Sequence, residues 1–132
     1  MSTKKVLLID DDPVIAAVYE SLFIGAGFDV MLAEDGEQGL ALVYRNRPDV
    51  VLLDLSMPKL NGLQWLDKIR KDARFAKLPV VIFTAGSIAW QVNAAKNSDV
   101  NMVLSKKTSD PEGVVKAVQT AIATGNWRVG LS

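Results

Sequence analysis

The chain has 132 residues, 15 basic against 15 acidic side chains, and a hydrophobic fraction of 49%. That length and balance fit one globular domain, and no bulk charge draws it to nucleic acid or to an anionic membrane. It has no cysteine and no histidine, which removes disulfides, thiol catalysis, serine–histidine triads, histidine metal sites and any histidine phosphodonor of its own.

The elements alternate along the chain. VLLI at 6–9, like the four strand segments after it, is short, branched and apolar without alternation, as strands buried on both faces of a parallel sheet read. Asp10, Asp11 and Asp12 follow it. Asp12-Pro13 is a helix start, with a capping side chain and proline at the first helical position. Ile15, Val18, Leu22 and Ala26 are expected to share the buried face of that helix, which Gly25 and Gly27 stop. VMLA at 30–33 is the second strand, closed by Glu34-Asp35-Gly36, and its helix carries Leu40, Val43 and Tyr44 on one side. VVLLD at 50–54 is the third, ending on Asp54, and Leu63, Leu66, Ile69 and Arg70 mark the next helix. VVIF at 80–83 is the fourth, ending on Thr84 and followed by a helix in GSIAWQVNAAKN. NMVL at 101–104 is the fifth, running into Ser105, Lys106 and Lys107. Asp110-Pro111-Glu112 opens the last helix, with Val114, Val118, Ala121 and Ile122 inward.

Five βα units predict an α/β fold: a doubly wound parallel sheet with helices on both faces. One domain is expected over residues 1–132, its core at about 5–123 and an irregular tail at 125–132. Trp65 and Trp127 read as packing residues, and Trp90 as a surface ring or a partner contact. No apolar run approaches the roughly 20 residues that cross a bilayer. The apolar stretch near the start is also too short for a secretory leader, so the expected setting is the cytoplasm.

Ligands of such folds bind beyond the carboxyl ends of the strands. If strands one, three, four and five are neighbours, Asp10, Asp11, Asp54, Thr84 and Lys106 converge there. Clustered carboxylates raise one another's pKa unless a cation neutralises them. Oxygen-only ligands suit a hard ion such as Mg²⁺, commonly completed by a phosphate. A carboxylate can also be the nucleophile that becomes an aspartyl phosphate, a reaction governed by positioning and charge neutralisation.

With IDDDP, LLDLSMPKLNGL, LPVVIFTA and the lysine after NMVLS in this order, the chain resembles the receiver domains of two-component response regulators, in particular the stand-alone, chemotaxis-regulator type. The resemblance implies a flavodoxin-like fold with five parallel strands in the order 2-1-3-4-5. It makes Asp54 the phosphoacceptor, with Asp10, Asp11, Asp54 and the backbone carbonyl of Ser56 as Mg²⁺ ligands. Thr84 becomes the switch hydroxyl, with the small Ala85 beside it, and Lys106 the phosphate-binding lysine. Asp12 falls at a variable position and caps the helix; Met57-Pro58 and Asn61-Gly62 shape the loop. The implied donor is a phosphohistidine of a sensor kinase or a histidine phosphotransfer protein. The implied output is a protein partner bound through the fourth helix, fifth strand and fifth helix, with no direct contact to nucleic acid or membrane. Such a chain is a signalling phosphoacceptor and not an enzyme.

Three departures from the family pattern bear on output more than on chemistry. Lys107 stands where proline is usual, Val103 where an aromatic is frequent, and Asp99 where glycine is common. Two rival readings stay open. LLIDDDPV also fits the D-x-D-x-[T/V] opening of haloacid dehalogenase-type phosphatases, with Asp10 as nucleophile and Asp12 as acid/base. A receiver-like interaction module that never uses phosphate is the other.

Overall fold

The structure, a computed structural model, describes residues 3–55, 57, 60–85, 100 and 102–124. Its strands are β1 (Lys5–Ile9), β2 (Asp29–Ala33), β3 (Val50–Leu53), β4 (Val80–Thr84) and β5 (Met102–Ser105). They form one sheet of order β2-β1-β3-β4-β5, and every pairing is parallel. The expected flavodoxin-like order is therefore the order observed. Four helices are described: α1 (Pro13–Gly25), α2 (Gly36–Asn46), α3 (Gly62–Arg70) and α4 (Pro111–Thr124), with a short 3-10 turn at Ala73–Phe75. Residues 86–99, which include the expected fourth helix, Trp90 and Asp99, lie outside the described residues, as does the tail with Trp127. Hence α4 here is the last helix.

Alternation along the buried strands makes two cores. Leu7, Ile9, Val51, Leu53, Ile82 and Val103 face α2 and α3, around the fully buried Trp65. Val6, Leu8, Val50, Leu52, Val81, Phe83 and Leu104 face α1 and α4. Trp65 is thus a packing residue, as expected.

Two local readings need correction. Residues of β2 are partly exposed, Leu32 among them, because β2 is an edge strand with a neighbour on one side only. On α1 the fully buried residues are Tyr19 and Phe23; of the expected face, Ile15 and Leu22 pack partly buried against the same core, while Val18 is 45% exposed and Ala26 is exposed beyond the helix end. Apolar residues run round most of this helix, so periodicity alone does not choose its face. The two rings bury the largest apolar areas and take the core positions. The stop is as expected and specific. Phe28 N–H donates to Phe23 O and Gly27 N–H to Ile24 O, both at 3.0 Å, with Gly27 at φ +94° and Phe28 packed edge-on to Phe23. This is a Schellman ending, whose left-handed position favours glycine.

Candidate functional site

Register decides which side chains meet. Ile9 pairs with Leu53, so the residues just past each, Asp10 and Asp54, lie side by side where the connections diverge to opposite edges of the sheet. Asp54 N–H donates to Ile9 O at 2.9 Å and Asp10 N–H to Ala33 O at 3.0 Å, which extends the ladder by one residue and fixes both backbones. Thr84 pairs with Ser105, and Lys106 N–H donates to Thr84 O at 2.9 Å. Lys106 is therefore carried to the same rim.

The carboxylates converge as expected. One oxygen from each of Asp10, Asp11 and Asp54 lies within 4.8 Å of the others. Asp10 and Asp54 are 3% and 4% exposed, whereas Asp11 is exposed. Asp10 Oδ1 accepts the N–H of Asp12 at 2.9 Å. Its Oδ2 lies 2.7 Å from Lys106 Nζ, and Asp54 Oδ2 lies 3.5 Å from the same ammonium. Burial pushes the Lys106 pKa down, but the hydrogen bond and charge of Asp10, and then Asp54, more than offset it, so the net shift is upward. One ammonium thus engages two of the three clustered carboxylates, and the all-oxygen donor set fits a hard divalent ion.

The remaining expected residues sort plainly. Thr84 is wholly buried at the end of β4. Ser56 lies outside the described residues. Asp12 is spent on capping: its Oδ1 accepts the N–H of Val14 at 2.9 Å, and it is not part of the carboxylate cluster. That geometry speaks against a phosphatase reading in which Asp12 is the acid/base. Asn61 and Gln64 form a reciprocal capping box at the start of α3. A Cβ at Gly62 would lie 2.5 Å from Asp54 O and 2.6 Å from Leu55 Cα, so the loop after Asp54 needs glycine there. Lys107 keeps an exposed side chain, and its N–H donates to Ser105 Oγ at 3.1 Å. A proline at 107 could not make that bond. Val103 is fully buried in the α2/α3 core.

Sequence reasoning missed Phe83. It reads as strand filler, and only the fold sets its ring beneath the Lys106 ammonium. A groove of about 450 Å³ leads away from Asp10 and Asp11 between α1 and β2, past Ala16, Ala17, Glu20 and Leu32.

A family model of the response regulator receiver domain matches residues 6–119. The chain belongs to that family. This receiver domain is 32% identical over 119 residues to the protein PilH of Pseudomonas aeruginosa, a match covering 90% of this chain and 98% of that one. It is 41% identical over 81 residues to the DNA-binding dual master transcriptional regulator RpaA of Synechocystis, covering 61% of this chain and 34% of that protein. Among solved structures it is similar to the Vibrio cholerae chemotaxis protein CheY4, with a TM-score of 0.85, 26% identity, and coverage of 91% and 99%. The matched stretch spans only 34% and 45% of two of the curated relatives. Receiver domains of two-component systems accept a phosphoryl group on an aspartate, interact with histidine kinases and downstream targets, and bind Mg²⁺ through acidic residues. This one has such an acidic cluster.

Proposed function

We propose that Asp54 is the phosphoacceptor of this receiver, that Asp10, Asp11 and Asp54 hold Mg²⁺ with the Ser56 carbonyl, and that Lys106 and Thr84 complete the site. The observation that carries this reading is a partly buried ammonium bridging Asp10 and Asp54 at 2.7 and 3.5 Å, two of three convergent carboxylates. When bound, Mg²⁺ would neutralise the carboxylates and the phosphoryl oxygens. The donor in the signalling pathway is a phosphohistidine of a partner protein; this chain has no histidine of its own, so the phosphoryl group comes from another protein or a small phosphodonor. A carboxylate oxygen of Asp54 bonds to phosphorus as the phosphorus–nitrogen bond breaks, and the donor imidazole leaves with the electron pair. Lys106 follows the new charge, and the Thr84 hydroxyl donates to a phosphoryl oxygen. That movement biases the surface formed by the helix expected in GSIAWQVNAAKN (86–97), β5 and α4 toward a downstream protein partner, by population shift. We further propose that residues 1–132 form one receiver domain, a phosphoacceptor acting in the cytoplasm with no catalysis on outside substrates.

The test is intact mass after incubation with Mg²⁺ and acetyl phosphate. Wild type is expected to gain one phosphoryl group and Asp54→Asn none. An adduct that persists in Asp54→Asn but disappears in Asp10→Asn would move the reading to the phosphatase class. No adduct in any sample would favour a module that does not use phosphate.

A further inference from the structure

We propose that the ring of Phe83 is a positioning element for Lys106, holding its ammonium at the acidic rim by a cation–π contact; the proposal rests on Lys106 being the phosphate-binding lysine. Lys106 Nζ stands over the Phe83 ring, 5.8 Å from the centroid, within the distance at which the ring's negative face attracts a cation. The ring is 2% exposed and is braced from below. Tyr19 meets it edge-on at 5.2 Å and 73°, and Phe23 backs Tyr19 at 6.2 Å. The Lys106 backbone is also fixed, by Thr84 O on its own N–H and by Ser105 Oγ on the next. Only the long side chain is left to be placed, and Asp10, Asp54 and Phe83 place it together.

Their holds differ in kind. Those of Asp10 and Asp54 depend on carboxylate charge, which a divalent ion seated in the same cluster would share. The attraction of the ring does not depend on that charge. In the metal-loaded domain Phe83 is therefore the contact that keeps the ammonium over the site, already placed when the phosphoryl group arrives. Without it Lys106 must be ordered at the moment of binding, and that cost appears as lost affinity.

Replacing Phe83 with a series of increasingly fluorinated phenylalanines strips the negative face while nearly keeping the shape. The readout is the affinity for beryllofluoride, a phosphoryl mimic, in Mg²⁺ by calorimetry, with and without Lys106→Ala. The expected result is a stepwise loss of about two- to fivefold across the series, absent in the Lys106→Ala background. Phe83→Leu should match the end of the series. A flat series, or an equal loss in both backgrounds, overturns the role of Phe83. If Lys106→Ala alone weakens binding strongly, the lysine reading stands whichever way the series falls; if it changes nothing, that reading falls and the role of Phe83 with it.

Discussion

At the amino end of the sheet, polar groups find partners close by. Lys5 N–H donates to Asp49 Oδ2 at 2.7 Å, Lys5 Nζ to Asn46 O at 3.2 Å, and Asp29 N–H to Lys4 O at 2.9 Å. The carboxyl end is arranged otherwise. Each buried polar side chain among the described residues (Asp10, Asp35, Asp54, Thr84 and Ser105) ends a strand or lies within two residues of that end, and each of the five strands supplies one. Asp35 is used up as the cap of α2, but Asp10 and Asp54 share one lysine. One end of the sheet is closed by local bonding. The other stores like charge, at some cost in stability, as the proposed cation and phosphoryl site requires.

The sharpest way to break this contrast is to remove the shared cation. Lys106→Ala leaves Asp10 buried beside Asp54 with no ammonium, and loss of one partner of a buried ion pair costs about 3 kcal/mol or more. The metal-free variant should lose that much in urea unfolding, and saturating Mg²⁺ should restore part of it. If Mg²⁺ stabilises the variant no more than wild type, the carboxylates are not its seat.

A paired test should give opposite signs at the two ends. Asp54→Asn keeps the volume and removes one of the crowded charges, so metal-free stability should rise by about 1 kcal/mol, the order of the repulsion relieved at a partly solvated rim. Asp49→Ala takes away the acceptor of the Lys5 N–H and should lower stability by about 1 kcal/mol. Chemical denaturation of both proteins without Mg²⁺ decides it, and two changes of the same sign would erase the distinction between the ends.

The acidic rim was legible in the sequence because Asp10, Asp54, Thr84 and Lys106 each end or follow an apolar run, and the order of a doubly wound sheet brings such ends together. The aromatic support was not legible. Phe83 sits in an unbroken apolar strand, where nothing in the pattern says which face a residue takes. Tyr19 does not stand out from Val18, because apolar residues surround α1. The bond from Lys107 N–H to Ser105 Oγ is hidden for another reason. A backbone donor has no signature in the sequence beyond the absence of proline.

The smallest expected effect concerns Tyr19, which braces Phe83 beneath the rim. Burial first, and the charge of Asp110 second, raise its phenol above the ordinary 10.0. Below that value both folded and unfolded chains hold the proton, and the contribution of this group to stability is fully present. As pH rises past 10.0, the unfolded chain releases the proton while the fold retains it, so stability falls until the folded pKa is reached. Lys106, also raised, adds a loss of the same sign at high pH, but it remains in both proteins of a Tyr19→Phe comparison. The variant should therefore lose less stability than wild type at high pH. Urea midpoints measured from neutral pH to above the ordinary tyrosine range check this. Parallel curves would mean that the phenol ionises as freely in the fold as in the unfolded chain, and that the α1 side of the rim is more open to water than its packing implies.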